Sequence, residues 1–255
     1  MDSPACAADA APARGYLPPT AFRSRRSALS TAQRQTWERL WPQLGVMAAP
    51  RAQDGSQQGF PGPAPLDTRE WFGREAPVVL EIGSGSGSST LAMAHDEPDI
   101  DVIAVEVYRR GLAQLLCGID SEKVSNVRLI RGNALDVLHN LIAPNSLTGV
   151  RVFFPDPWPK ARHHKRRLLQ PATIALIADR LLPGGVLHAA TDHAGYAEDI
   201  ASAGDAEPRL RRVEPGTRLP ISVVRPTTKY ETKAQEAGSA VAELIWKRSE
   251  HSEGS

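Results

Sequence analysis

From residue 77 onward the sequence alternates short apolar runs with stretches of helical periodicity, and this alternation constrains the fold more than any other feature. Candidate strands lie at 78–82, 102–105, 127–130, 150–154 and 186–190, and candidate helices lie at 88–95, 108–119, 134–141 and 171–182. Apolar strands separated by helices are typical of a parallel sheet covered on both faces. Helical periodicity stops after Val213 and a late strand follows at 240–246, so we expect the doubly wound α/β sheet to end in an antiparallel hairpin.

The N-terminal part of the chain differs from this α/β region. Residues 1–22 read as a disordered tail, and 23–46 as a basic helical extension whose helix is capped by Ser30 and Thr31. Residues 47–66 carry four prolines and three glycines, which indicates a flexible linker or loop. We assign 67–248 to the main domain and 249–255 to a tail.

Charge is segregated along the chain although the total is nearly neutral, with 30 Lys and Arg against 29 Asp and Glu. Residues 14–39 hold six arginines and one acid, and 160–167 hold five basic residues, two histidines and no acid. The segment between them, 67–106, holds nine acids against two arginines. This distribution suggests one surface that meets a polyanion and another that holds a cation.

Cysteine usage and hydropathy exclude several classes of protein. Two cysteines, Cys6 and Cys117, are too few for a disulfide scaffold or a cysteine-only zinc site. No signal-like N-terminus and no run of about 18 apolar residues is found. We expect a cytoplasmic protein with no membrane association.

A glycine-rich loop follows the first strand directly, in the run Glu81-Ile82-Gly83-Ser84-Gly85-Ser86-Gly87-Ser88. Glycines permit a tight turn and the close approach of a ligand. Ser88 replaces the third glycine of the dinucleotide fingerprint, and Glu81 would repel a pyrophosphate but attract a cation. Glu106, at the end of the second strand, is placed to bind ribose hydroxyls, and Asn133 to bind an adenine edge or to cap a helix. S-adenosylmethionine satisfies these demands.

The fourth strand runs into a proline-rich loop that presents Asp156 and Trp158 where ligands bind in open α/β sheets. Prolines on both sides restrict the backbone of Asp156. Trp158 either stacks on a base or packs internally. The basic run that follows indicates phosphate contacts, and its histidines lack the carboxylate or thiolate companions of a metal site, so we expect no metal.

The combined motifs resemble the bacterial tRNA (guanine-N7)-methyltransferases of the TrmB family, from about residue 23 to 248. The motifs that carry the resemblance are Leu80-Glu81-Ile82-Gly83-Ser84-Gly85, Val105-Glu106, Phe153-Phe154-Pro155-Asp156-Pro157-Trp158-Pro159-Lys160 and Thr228-Lys229-Tyr230-Glu231. The resemblance implies a class I methyltransferase fold with a mostly parallel seven-stranded sheet. It also implies methylation at N7 of a guanine in the variable loop of tRNA, expected at position 46, with S-adenosyl-L-methionine as donor and S-adenosyl-L-homocysteine as product.

The same resemblance assigns roles to individual residues. The donor pocket would hold Glu81, Gly83, Gly85, Glu106, Asn133 and Asp156. Asp156 would also be the catalytic residue. Substrate contacts would come from Lys160, Asp192, Thr228, Lys229, Tyr230 and Glu231. From the charge pattern, the candidates for RNA phosphates are Arg23, Arg25, Arg26, Arg162, Lys165, Arg166 and Arg167. Transfer RNA is the expected partner, and no obligate protein partner is inferred.

Four alternative functions stay open at this point. A nicotinamide-dependent oxidoreductase is opposed by Ser88 and Glu81. A non-catalytic RNA-binding protein of Rossmann-like fold is opposed by the intact acids Glu81, Glu106 and Asp156. A class I methyltransferase could act instead on another RNA or on a small molecule, and the basic runs oppose the small molecule.

Overall fold

The computed structural model describes residues 28–50, 64–214, 216–226 and 240–250. Helices and strands follow one another along these residues in a largely alternating order. The helices are α1 Thr31–Leu44, α2 Thr68–Phe72, α3 Ser88–Asp96, α4 Arg109–Glu122, α5 Ala134–Asn140, α6 Pro171–Arg180 and α7 Ala194–Asp205. The strands are β1 Gly45–Met47, β2 Val78–Ile82, β3 Asp101–Glu106, β4 Val127–Arg131, β5 Leu147–Phe153, β6 Leu181–Thr191, β7 Leu210–Arg212 and β8 Ala242–Arg248. A 3₁₀-helix spans Ala161–Arg166.

The strands form one sheet in the order β1-β4-β3-β2-β5-β6-β8-β7. All pairs from β1 to β6 are parallel, and β8 is antiparallel to both β6 and β7. The mostly parallel sheet with an antiparallel end is therefore confirmed. It has eight strands in the described part of the chain instead of the seven expected, because Gly45–Met47 adds to the edge beside β4.

Helices cover both faces of the sheet around separate apolar clusters. The larger cluster joins α5, α6 and α7 to residues such as Leu80, Ile103 and Val152. The second joins α1, α3 and α4 to the other face of β3 and β4, with Trp37 of α1 buried in it. The predicted helical extension thus packs directly on the sheet, and its Ser30 cap forms the expected reciprocal pair of hydrogen bonds with Gln33.

Two parts of the predicted architecture differ in the described residues: a further helix is present, and the ends of the predicted linker are held. Helix α7 was not predicted, because its two glycines and small residues leave only Tyr196, Ile200 and a few neighbours as an apolar face. Both ends of the predicted linker are held: Ala48 N–H bonds to Arg131 O on β4, and Leu66 N–H bonds to Leu141 O. The middle of that linker, the 1–22 tail and the 249–255 tail (except its first two residues) lie outside the described residues.

Candidate active site

A cavity of about 490 Å³ opens at the carboxyl edge of the parallel strands. The ends of β2, β3, β4 and β5 form one wall, and the chain from the basic segment into α6 forms the other. The lining includes the predicted residues Gly83, Glu106, Asn133, Asp156, Trp158, Lys165, Arg166 and Arg167. Its volume falls in the range of small-molecule sites. Residues of predicted function that are far apart in the sequence therefore meet in one cavity.

The glycine loop is shaped by positive backbone angles and close contacts. Gly83 and Gly85 have φ of 84° and 58°, values that side-chain-bearing residues rarely adopt. Gly83 N–H bonds to Val105 O at 2.8 Å, and Gly85 N–H bonds to Glu106 Oε2 at 3.0 Å. Gly111 of α4 packs so closely that a Cβ there would lie 2.2 Å from the Gly85 carbonyl oxygen. The loop is thus held against β3, with its backbone open to a ligand.

Glu81 and Glu106 are buried carboxylates on neighbouring strands. Burial raises the pKa of Glu106, and the N–H groups of Tyr108, Gly85 and Val107 act against that rise. The carboxylate of Asp156 raises the pKa further, so these two acids interact across the cavity. Glu81 lies behind the wall, and its Oε2 atom has no hydrogen-bond partner among the described residues. A cationic ligand would stabilise the charged form of Glu106 and would give Glu81 Oε2 a hydrogen-bond partner.

Asn133 begins α5 and lines the cavity. Its side-chain oxygen accepts a hydrogen bond of 2.8 Å from Leu135 N–H, which is the predicted capping role. That bond occupies the amide oxygen and leaves the amide nitrogen as a donor beside the cavity. The adenine contact stays a proposal that is compatible with the cap.

The loop after β5 holds Asp156 between two strained residues. Phe154 and Trp158 have φ of 50° and 43°, which costs about 1–3 kcal/mol each for residues other than glycine. Contacts on both sides hold this conformation: Phe154 N–H bonds to Ala190 O on β6, and Arg167 donates to Pro157 O. Asp156 itself is exposed and lines the cavity, so its carboxylate is held at the rim of the site.

Trp158 packs against the basic segment that follows it. The Arg166 guanidinium lies over the indole at 4.9 Å, and the His163 ring meets its edge at 5.9 Å. Because Trp158 also lines the cavity, the internal contacts do not remove it from the site. The pKa of His163 is lowered by partial desolvation and by the neighbouring cations Arg166 and Arg162.

The basic residues after the Asp156 loop have two different environments. Lys160, Arg162 and Lys165 are exposed, as phosphate contacts require, and Lys165 lines the cavity. Lys160 does not line it. Arg167 is only 4% exposed: it pairs with Asp199, donates to Gly195 O and lies over the Tyr196 ring. We correct its assignment, because a guanidinium enclosed by these partners is not presented to a phosphate.

The remaining predicted residues lie at the edge of the site or outside the described chain. Asp192 directly follows β6, the strand next to β5, and is exposed at the same carboxyl edge as Asp156 without lining the cavity. The predicted site residues that fall outside the described ranges are Arg23, Arg25, Arg26, Thr228, Lys229, Tyr230 and Glu231.

Several cavity residues were not predicted from the sequence. Tyr108 lies two residues after Glu106, the last residue of β3, and this position near the strand end was the available signal. His139 of α5, Gln170 before α6 and Thr173 of α6 also line the cavity. They occur in ordinary helical sequence, and only the packing of α6 beside α5 brings them to the site.

Known proteins resemble this chain along most of its length. A family model with the description "Putative methyltransferase" matches residues 75–244. A protein from Mycobacterium avium named tRNA (guanine-N(7)-)-methyltransferase is 72% identical over 97% of this chain and 93% of its own length. The chain belongs to this methyltransferase family. A protein of the same name from Mycolicibacterium paratuberculosis is 74% identical over 91% of the chain and 88% of its own length.

The fold of this family member also matches a solved structure. The 16S rRNA methyltransferase KamB aligns with a TM-score of 0.50 at 16% identity, over 73% of this chain and 95% of that one. At this identity the likeness concerns the fold alone, and it supports the class I methyltransferase architecture. Within the described ranges, no helix is long and apolar enough to cross a membrane, and no group of three or more His, Cys, Asp or Glu side chains is arranged for a metal ion.

Proposed function

We propose that this chain transfers a methyl group from S-adenosylmethionine to N7 of a guanine in tRNA. The observation that carries the proposal is the cavity at the carboxyl edge of the sheet, where the acids Glu106 and Asp156 meet beside exposed basic residues. The curated relatives, at more than 70% identity, carry the name of this activity. The cytoplasm, where tRNA is available, is the proposed location.

The residues present fit the donor. S-adenosylmethionine supplies a sulfonium methyl group as the electrophile, and its adenosine and amino-acid parts require different partners. Glu106 would bind the ribose hydroxyls, and Asn133 and Tyr108 would border the adenine. The unpartnered Oε2 of Glu81 would accept a hydrogen bond from the donor's ammonium group. The open backbone of Gly83 and Gly85 leaves room for the amino-acid tail.

Asp156 would act on the nucleophile. Guanine N7 has a free lone pair and no proton, so the reaction needs alignment of N7, methyl carbon and sulfur instead of an obligatory general base. Asp156, held at the rim by strained backbone, would accept a hydrogen bond from the guanine edge and stabilise the positive charge that methylation leaves on the purine. Trp158 would stack beside the base.

The exposed basic residues would bind the RNA backbone. A guanine inside folded tRNA must leave its local stack to reach the cavity, so phosphate contacts nearby would hold the RNA during that change. Arg162 and Lys165 are on the 3₁₀-helix that directly follows the Asp156 loop. Several exposed cations in one short segment beside Asp156 favour a polyanion over a small substrate.

The direct test is transfer of labelled methyl groups from S-adenosylmethionine to bulk tRNA, followed by nucleoside analysis. We expect label in 7-methylguanosine and none in other nucleosides. The Asp156→Ala protein is the matched negative control. Label in a different nucleoside, or in small molecules only, would overturn the proposed substrate while leaving the methyl donor in place.

A further inference from the structure

A buried arginine lies directly beside the proposed donor-binding carboxylate. Arg151 of β5 is in parallel register with Glu81 of β2, so the two side chains emerge from neighbouring strands on the same face. Arg151 is 0% exposed and Glu81 is 3% exposed. Neither forms part of the cavity lining, and no sequence motif singles out Arg151.

The polar atoms of this pair are incompletely satisfied. Glu81 Oε2 and Arg151 Nε and Nη1 have no hydrogen-bond partner among the described residues. Buried polar groups in proteins nearly always have partners, contributed by protein, water or a ligand. The Glu81 oxygen is an acceptor, so a donor group from outside the chain can complete it, while the two Arg151 nitrogens are donors that add positive charge beside Glu81.

The remaining Arg151 nitrogen is already engaged. Its Nη2 pairs with the Glu97 carboxylate and donates to Ser222 O at 3.1 Å. The other Glu97 oxygen accepts a hydrogen bond of 2.6 Å from Ser222 N–H. Segment 216–226 is fixed over this face of the sheet by these bonds, and Ile221 packs there with Val79 and Val186. The guanidinium is thus held in place from one side, and its charge acts on Glu81 from the neighbouring strand.

The surroundings of Glu81 contain little else that would keep it charged. Burial raises the pKa of Glu81, while the Thr90 hydroxyl from α3 and the Arg151 charge lower it. The register neighbour on β3 is the uncharged Ala104. Beyond Arg151 lie Glu97 after α3, already paired, and His188 on β6. A buried carboxyl group without a cation nearby takes up a proton.

We propose that Arg151 is a positioning residue for the methyl donor, which keeps the Glu81 carboxylate ionised and ready to receive the donor's ammonium group. Arginine suits this task because it stays charged at every physiological pH. The inference rests on the proposed function, since it requires that a donor with an ammonium group binds at Glu81. It goes further in naming a residue that acts through Glu81 without touching the ligand.

The test measures the affinity for S-adenosylhomocysteine by calorimetry between pH 5.5 and 7.0, a range in which the α-amino group stays protonated. The probe without the amino-acid group is 5′-methylthioadenosine. Wild-type protein and Arg151→Lys should bind S-adenosylhomocysteine with little pH dependence. Arg151→Met should bind it more weakly as the pH falls, by about tenfold per unit below the Glu81 pKa, and should bind 5′-methylthioadenosine with unchanged pH dependence.

Arg180→Met is the matched control, because Arg180 is also a buried arginine that bonds a carbonyl oxygen, of Leu138, and a carboxylate, of Asp179. The Arg180→Met protein should be less stable than wild type, but its affinity for S-adenosylhomocysteine should not depend on pH. If Arg151→Met does not fold, Arg151→Met with Glu97→Gln removes the stranded carboxylate and is measured instead. Because the Arg151 charge is one cause of the lowered pKa of His188, Arg151→Met is also measured together with His188→Leu, and the pH dependence should persist in the double variant.

The outcomes separate this inference from the proposed function. Failure of the wild-type protein to bind S-adenosylhomocysteine overturns the proposed donor and the inference together. Tight wild-type binding with a flat pH profile in Arg151→Met overturns the role of Arg151 alone. An equal pH dependence for both probes in Arg151→Met also overturns it, because the effect would then not involve the ammonium group.

Discussion

At the scale of single residues, the site depends on side chains held under constraint. Asp156 is the best example, since the left-handed backbone of Phe154 and Trp158 sets its position, and hydrogen bonds from β6 and from Arg167 hold that backbone. Such strain persists only where the surroundings compensate for it, and it is concentrated at functional sites. The proline residues on each side of Asp156 indicated a rigid loop, but not the direction in which the carboxylate points.

The role of Asp156 leads to a prediction about rate and affinity. Asp156→Ala should leave the dissociation constant for S-adenosylhomocysteine within about threefold of wild type and lower the single-turnover rate by about 10²–10³, the usual cost of removing one stabilising hydrogen-bond partner of the transition state. Calorimetry and rapid-quench methyl transfer at saturating donor measure the two quantities. Normal turnover at saturating donor would assign Asp156 to binding only.

At the scale of elements, strands β2 to β5 and helices α3 to α6 were predicted closely because their apolar patterns are local. The predicted strand 78–82 matches β2 as observed, and the helix over 134–141 ends one residue earlier than expected. β1 was not predicted because it lies at the start of a proline- and glycine-rich segment. Its three residues are too few to show an alternation of apolar and polar side chains. Its pairing with β4 depends on α1, which ends directly before β1 and packs on the face of β3 and β4, and no local pattern reports this packing.

The basic 3₁₀ segment should act through phosphate contacts. Replacing Arg162 and Lys165 together with glutamine should weaken tRNA binding and reduce the slope of log affinity against log salt by about 0.7 to 0.9 for each phosphate that is no longer neutralised. Arg211→Gln, an exposed arginine on β7 at the far edge of the sheet, is the control and should leave the slope unchanged. Filter binding from low to moderate salt measures the slopes, and equal slopes in all proteins would exclude the segment from the RNA interface.

Helix α1 should contribute to the stability of the domain because it is part of the core. Trp37 is buried, stacks on Trp41 at 4.1 Å and lies under the Arg109 guanidinium. Trp37→Ala should lower the free energy of unfolding by about 3 kcal/mol, within the usual range for large aromatic truncations. Glu38→Ala, on the exposed side of the same helix, should change it by less than about 0.5 kcal/mol. Urea denaturation distinguishes this result from that of an independent extension, in which both variants would be neutral.

At the scale of the whole molecule, the candidate active site lies at the carboxyl edge of the sheet, and titratable side chains are buried within the sheet below that edge. His188 lies in the middle of β6, 1% exposed, with neither ring nitrogen bonded among the described residues. A Glu243 oxygen is 3.5 Å from its Nε2, but the same oxygen accepts from Arg225. Burial, with the charges of Arg151 and Arg225, lowers the pKa of His188 to about 4.

This shift predicts how global stability depends on pH. The unfolded chain binds a proton at His188 near its ordinary pKa of 6.5, while the folded protein binds it only near pH 4. Stability should therefore decrease as the pH falls from 6.5 to 4, with a contribution from this group of about 1.4 kcal/mol per pH unit. His188→Leu should remove that part of the slope in urea denaturation across this range. Parallel slopes in both proteins would assign the acid sensitivity to other groups.

The sequence by itself determined the alternation of strands and helices from β2 to β6, the glycine loop, the acids near the ends of two strands and the family motifs around Asp156, because each is encoded in a few contiguous residues. Tertiary structure alone decided which residues face one another. It placed Arg167 inside against Asp199 although its neighbours in the basic run are more exposed, and it set Arg151 beside Glu81 from a strand far along the chain. Burial and strand register depend on residues far apart in the chain, so no local pattern can report them.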